Sequence, residues 1–418
     1  MIFSSTLFVI IFISLLIFVH ELGHLLAAKR SKIPVEKFSL GFGPALFQKK
    51  IGETIYAVSL IPIGGYIKLY GEEEEKEGGF LSQPLRKKLF VVLTGPFFNF
   101  LLGLITTFFI YLLFGIKFTE PRISVKGEKE LPLQKGDLVI SIAGETIPNW
   151  EKLEKALRKN SGREVKISLL REGEVVSYLL PADTLFLYLD LLVPPIVERV
   201  KKGSPAEKAG LQPMDLILAV NDQKITSWEE FTEIVRKNGE KELNLVWQRG
   251  EETLSAVIQP ELVRDELGEK RVGQIGVWVY LPKRMPSPFQ SVVIAFQRTL
   301  YVCLQTVVII YKVIVGKISR QAIGGPVMIA KLTYEGVAWG WEYILSLLAA
   351  LSLNLFIINL LPIPVVDGGR SLLFIVEKLR SRRFSKKEME RIFFIGYLIV
   401  VLIALFAFFN DIRRIFWR

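Results

Sequence analysis

The sequence predicts a polytopic α-helical membrane protein with four transmembrane helices. A membrane-associated β-hairpin region lies between the first two, and two tandem small α+β domains lie between the second and third. Three observations carry this reading. Half of the 418 residues are apolar, and the mean hydropathy is +0.37, more hydrophobic than a soluble chain of this size. Four runs are free of charge and long enough to cross a bilayer. The stretch between the second and third runs is mixed in charge and repeats itself, as water-facing domains can.

The first span lies in residues 1–34. Residues 2–19 carry no charge, and the apolar helical pattern runs on to Ala28, about 40 Å at 1.5 Å per residue. No basic residue precedes it, so a cleaved signal peptide is not expected. Residues 35–80 change pattern. Short β-rich runs broken at Gly52, Pro62, Gly64 and Gly65 predict hairpins at the membrane surface. The acidic run "GEEEEKEGG" (71–79) reads as a solvated loop without assigned function. Residues 81–117 hold the second span, charge-free over 89–116.

Residues 118–190 and 191–282 are two copies of one domain. "LQKGDLVISIAGETIPNWEKLEKALRK" (133–159) matches "LQPMDLILAVNDQKITSWEEFTEIVRK" (211–237), and a strand pair follows each. Residues 283–340 are read as extracytoplasmic, interfacial amphipathic helices. Arg298 and Lys312 leave only 13 charge-free residues between them, short for a span. Residues 341–376 hold the third span, with 24 uncharged residues (343–366) before Asp367. Residues 377–391 form a basic loop, and 392–418 the fourth span and tail.

Charge sets the orientation. The net charge of +11 comes from 53 Lys+Arg against 42 Asp+Glu. The basic residues cluster after the first span, before the second, and between the third and fourth. Cytoplasmic loops explain these clusters better than nucleic acid, which is not expected as a partner. The two tandem domains then face the outside. A fifth span at 287–316 would carry Asp367 to the membrane face opposite His20 and His24, so none is expected there.

The chain has only two histidines, His20 and His24, and both sit in "HELGH" inside the first span. At i and i+4 they share one helix face and can grip one ion. Glu21 lies beside them, as in the H-E-x-x-H zinc protease pattern, where it serves as general base. Ionisable groups within a span are costly and functional by default. A catalytic zinc takes three protein ligands. The third cannot be His, and the single cysteine, Cys303, reads as a packed thiol. Asp367 is the expected third ligand. It lies at membrane depth in "NLLPIPVVDGG" (359–369), where Pro362 and Pro364 break the helix. Two imidazoles and a carboxylate would also accept cobalt or manganese.

With these motifs in view, the chain resembles the site-2 protease family, intramembrane zinc metalloproteases, of the bacterial RseP type. "HELGH", "NLLPIPVVDGG", "GFGP" (41–44), "PIGGYIKLYG" (62–71) and "GPFFN" (95–99) all match that pattern. The two copies resemble PDZ domains, and "GSPAEKAGLQPMD" (203–215) is a familiar PDZ stretch. The strand predicted at "PPIVERV" would receive an added peptide strand. The first copy lacks the GSPAEKAG segment in its leading "PRISVKGEKELPLQKGD".

The resemblance implies that His20, His24 and Asp367 bind Zn2+ and that Glu21 activates water. It implies that Asn359 contacts the substrate backbone. It also implies that residues 53–70, with Gly64, Gly65 and Tyr66, offer a strand edge to an unwound substrate. The implied home is the bacterial inner membrane, with the active site toward the cytoplasmic side. The implied partners are the lipid bilayer, single-pass membrane substrates such as anti-sigma factors or remnant signal peptides, and peptide ligands of the PDZ domains. The alternative reading is a membrane PDZ scaffold without protease activity.

Overall fold

The computed structural model describes residues 2–125, 131–264, 271–317 and 324–416. The chain divides into two compact units, residues 1–114 with 285–418, and residues 115–284. The first unit opens on α1 (Ile2–Arg30), whose last turn carries Lys29 and Arg30, cations that suit a helix C-terminus. β1 (Val35–Ile51) and β2 (Thr54–Leu69) follow as antiparallel strands. They turn at Gly52, where φ is +61°.

The register refines the expectation of several short hairpins. Phe38 pairs with both Tyr56 and Ile67, and Ser39 with both Ala57 and Tyr66. β2 is therefore folded back on itself. Residues 35–40 lie between 55–58 and 65–69, and 45–51 lies outside 55–58. The outer strands are 45–51 and 65–69. Gly64, with a φ of +113°, marks the corner of the fold-back. α2 (Leu85–Phe114) runs unbroken through Pro96. Leu25 and Ala28 of α1, Val35, Phe38 and Leu69 of the sheet, and Val91 and Val92 of α2 share one core.

The second unit begins at β3 (Ile116–Lys117). Its first copy comprises β4 (Ile123–Val125), β5 (Leu138–Ile142), β6 (Glu145–Thr146), α3 (Trp150–Lys159), β7 (Glu164–Arg171), β8 (Glu174–Pro181), α4 (Ala182–Tyr188) and β9 (Leu189–Leu191). The second comprises β10 (Val197–Val200), α5 (Pro205–Lys208), β11 (Leu216–Val220), β12 (Gln223–Lys224), α6 (Trp228–Lys237), β13 (Leu243–Arg249), β14 (Glu252–Ile258), β15 (Glu261–Arg264), β16 (Arg271–Gln274) and β17 (Val277–Val279). β18 (Lys283–Arg284) closes the unit by pairing with β3.

The copies share their architecture. The sheet orders β6-β5-β7-β8 and β12-β11-β13-β14 correspond strand for strand. Asn149 and Ser227 cap α3 and α6 by accepting the amides of Lys152 and Glu230, which satisfies an orphan donor in each first turn. Arg171 reaches back to Asp137, and Arg249 to Asp215, each through two hydrogen bonds of 2.7–2.9 Å. Each aspartate also accepts a backbone amide, from Gln134 or Gln212, at 2.8 Å. Burial works against the Asp137 anion, but the Arg171 guanidinium outweighs it and holds the carboxyl below its usual range. Lys135 of the first copy donates to Glu230 of the second at 2.9 Å. Burial raises the Glu230 carboxyl, yet the hydrogen bonds from Lys135 and Thr226 win and bring it to about 2.

The copies differ around these sheets. α5, built from the GSPAEKAG segment, has no counterpart among the described residues of the first copy. Residues 126–130 of that copy's leading segment lie outside the described residues. The edge expected to be open at "PPIVERV" is closed at its start. β10 pairs with β17 on one side. On the other, Val197 exchanges hydrogen bonds with the backbone of Met214 and Asp215.

The first unit resumes with α7 (Pro288–Ile314), capped by Ser287 and Gln290 in a reciprocal box. It continues through α8 (Pro326–Trp339), α9 (Trp341–Asn359), α10 (Asp367–Leu379) and α11 (Lys386–Phe416). Phe12 and Leu16 of α1 pack with Ile344 and Leu348 of α9. Asp411 of α11, buried, accepts the amides of Gly325 and Met328 at 2.9 and 3.0 Å and so caps α8. Among the described residues, five helical stretches could cross a membrane by length and composition: Val9–Arg30, Leu85–Phe114, Pro288–Ile314, Trp341–Asn359 and Lys386–Arg413.

The one not expected is α7, which is a single 27-residue helix and not a piece of 13 residues. Its charges do not break it. Arg298 lies 5.2 Å from the centre of the Tyr301 ring, and Lys312 sits in the last turn, where a long cationic side chain can reach outward. The last two residues of the tail lie outside the described residues.

Asp215→Ala should cost the second copy about 3 kcal/mol of local stability, the scale for removing one partner of a buried ion pair. Hydrogen–deuterium exchange of the intact protein should then show faster exchange in β11 and β13, with β5 and β7 unchanged.

Candidate metal centre

The histidines face α2 because small residues let the two helices close. A Cβ on Gly23 would come 2.5 Å from the Thr94 carbonyl oxygen and 3.0 Å from the Gly95 Cα. A Cβ on Gly95 would come 2.2 Å from His24 Nε2. Close approach of apolar helices at small residues is a membrane packing device. Here it seats an imidazole directly on the neighbouring backbone. His24 Nδ1 lies 2.8 Å from the Val91 carbonyl. A carbonyl only accepts, so Nδ1 carries the proton and Nε2 offers its lone pair. The His20 and His24 rings meet edge to face with centroids 4.8 Å apart, and their Nε2 atoms are 3.2 Å apart.

Asp367 arrives from the break between α9 and α10. Residues 360–366, with Pro362 and Pro364, turn the chain so that Asp367 opens α10. The two glycines that follow are sterically required. A Cβ on Gly368 would meet the Leu360 carbonyl oxygen at 2.3 Å, and one on Gly369 the Ile363 carbonyl oxygen at 1.9 Å. Asp367 Oδ2 lies 3.1 Å from His20 Nε2 and 3.5 Å from His24 Nε2. The three side chains are 9–13% exposed.

These three separations test whether the residues fit an ion. Ligands about 2.0–2.1 Å from a tetrahedral zinc stand about 3.3 Å apart. The observed 3.1, 3.2 and 3.5 Å bracket that value. Among the described residues, His20, His24 and Asp367 form a group of donors able to hold a metal ion.

The remaining expected residues divide. Glu21 lies where the end of β2 crosses α1: a Cβ on Gly65 would sit 3.4 Å from Glu21 Cγ. Asn359 ends α9 with its amide nitrogen 3.5 Å from His20 Nδ1. Gly64 packs its backbone on the Phe42 ring, which a Cβ would enter at 2.1 Å. The Tyr66 ring stacks on Phe42 at 6.0 Å and is not brought to the histidines. Adjacent strand residues point to opposite faces, so Gly65 and Tyr66 cannot both face Glu21.

Asn99 was legible only as part of "GPFFN", with no role of its own. It is fully buried, its side-chain amide nitrogen is 3.1 Å from His20 Nδ1, and the Ser352 hydroxyl donates to its backbone carbonyl at 2.8 Å. The available signal was a lone amide inside a charge-free span.

The family model described as Peptidase family M50 matches residues 8–403. The chain is 30% identical over 447 residues to the regulator of sigma-E protease RseP of Escherichia coli (strain K12), covering 97% of this chain and 98% of the relative. It is 31% identical over 441 residues to the zinc metalloprotease RasP of Oceanobacillus iheyensis, with 97% and 98% covered. It is 29% identical over 428 residues to the regulator of sigma-W protease RasP of Bacillus subtilis (strain 168), with 98% of each chain covered.

Gly95→Ala should displace His24 and lower bound zinc well below one per chain, measured by elemental analysis of the purified protein. Gly52→Ala strains a turn at φ +61° but meets no neighbour within 4 Å, and should leave the zinc content unchanged.

Proposed function

Because the chain belongs to peptidase family M50, the site-2 zinc metalloproteases, we propose that it hydrolyses peptide bonds within the transmembrane segments of single-pass membrane proteins. The observation that carries this is the triangle of two imidazole nitrogens and one carboxylate oxygen, spaced for a tetrahedral zinc within apolar helices. A scaffold without catalysis gives no reason for that triangle. Two of the relatives are named as regulators of sigma-E or sigma-W, which supports anti-sigma factors as a substrate class here. Remnant signal peptides are a second class of suitable form.

In this reading His20, His24 and Asp367 hold the zinc. When bound, zinc polarises the scissile carbonyl and makes a water acidic enough to attack at neutral pH. Glu21 takes the proton from that water at its carboxylate and delivers it to the departing amine nitrogen. The Val91 carbonyl holds His24 in the tautomer that presents Nε2. Asn359, beside His20, donates its amide to the substrate backbone. A helical substrate hides its peptide bonds in its own hydrogen bonds, so it must first unwind. Strand 65–69 replaces those bonds by accepting the extended segment at its edge. Gly65 gives that segment close passage to Glu21.

The basic loops support a site that opens toward the cytoplasm and a PDZ pair on the outer side, where it would screen bulky ectodomains.

Glu21→Gln should keep zinc and lose cleavage of single-span model substrates by at least about 100-fold, the scale of a general base. Asp367→Ala should lose zinc and cleavage together. Cleavage by Glu21→Gln at the wild-type rate would contradict the assignment.

A further inference from the structure

The strand edge at 65–69 has a built end. The Tyr70 amide donates to the Pro34 carbonyl at 2.9 Å, so its N–H points toward β1. Backbone N–H groups alternate along a strand, and those of Leu69, Ile67 and Gly65 therefore point the other way, along the open edge. The Leu69 amide is already taken. It donates to Glu72 Oε2 at 3.1 Å.

The other oxygen of that carboxylate, Oε1, accepts Arg370 Nη2 at 2.7 Å. Arg370 lies three residues after Asp367 on α10, and its guanidinium is 6.0 Å from the centre of the buried Phe80 ring. Glu72 thus stands where the carbonyl of an added strand would stand, and it is fixed to the helix that begins with Asp367.

We infer that Glu72 is a register stop: it closes the edge at Leu69, so an incoming strand pairs no further than Ile67, and this count selects the bond presented at Glu21. The inference rests on the proposed edge addition. From Leu69 back to Gly65, beside Glu21, is four residues, about 13 Å of strand. The stop therefore fixes how many substrate residues lie between the cut and the end of the paired segment. Removing it frees the Leu69 amide. The strand can then advance, but only by two residues, because a shift of one would turn every side chain to the wrong face. The advance has one direction, toward Leu69.

The test maps cut positions by mass spectrometry in detergent, using a single-span model peptide and the full-length protein. Wild type should give a single cut. Glu72→Ala should add a second cut, with the fragment that pairs along Gly65–Leu69 longer by two residues. Glu72→Gln keeps an amide oxygen for Leu69 and should retain the single cut. If Glu72→Ala loses zinc, Glu72→Met, which fills the same space without an acceptor for Leu69, replaces it and should give the same second cut.

An unmoved single cut in Glu72→Ala, or in Glu72→Met where that replaces it, overturns the stop at whatever rate the variant works. So does a spread of cuts by single residues. A peptide N-methylated at the amides around the cut tests edge addition separately. If wild type cuts it as fast as the parent, edge addition and the stop both fail. If it is cut slowly while the Glu72→Ala cut is unmoved, the stop alone fails.

Discussion

Two imidazole nitrogens and one carboxylate oxygen within 4.8 Å of each other, inside helices that are otherwise mostly apolar, set the terms for the first unit. Polar groups at that depth must be partnered. The packing answers that demand from several elements at once. α2 lends the Val91 carbonyl and the Asn99 amide. The α9–α10 break lends Asp367. Neither arrangement tolerates a side chain at Gly95, Gly368 or Gly369, because each would strike His24 or a backbone carbonyl. The glycines in these motifs are therefore part of the metal geometry.

The sheet answers a second demand. Folding β2 back on β1 turns two strands into a four-stranded ladder and leaves 65–69 as an outer strand that passes Glu21. Leu25 and Ala28 of α1, Phe38 of β1 and Phe374 of α10 lie in the same core, so the sheet, the helix that carries His20 and His24, and the helix that opens at Asp367 are packed as one body. The Glu72–Arg370 pair joins the end of the strand to α10 by charge as well. In the second unit the repeated Asp–Arg pairs do a simpler task, holding each copy's β-sheet to the segment before it.

Much of the centre could be read from the sequence because metal chemistry restricts both residue type and spacing. His20 and His24 are one helical turn apart, and only an acid could complete a set in a chain with two histidines and one cysteine. The repeat was equally plain, because matched turns, strands and Trp-led helices recur in order. What escaped detection depends on partners distant in sequence. Val91 contributes a backbone atom, which no residue pattern records. The fold-back of β2 leaves the alternation of side chains intact, so the pattern reads alike with one register or two. The extent of α7 was hidden because Arg298 and Lys312 were counted as breaks, whereas it is one helix of 27 residues, long and apolar enough to cross a membrane. The closure of β10 at Val197 was hidden for the same reason as Val91: its partners at Met214 and Asp215 are backbone atoms.

The central claim is that His20, His24 and Asp367 together hold one catalytic zinc. Zinc-edge X-ray absorption of the purified full-length protein tests it most directly. The account predicts nitrogen and oxygen neighbours at about 2.0–2.1 Å, two of them imidazoles, no sulfur, and loss of the signal in Asp367→Ala. A sulfur neighbour, a single imidazole, or an unchanged spectrum in Asp367→Ala would contradict it.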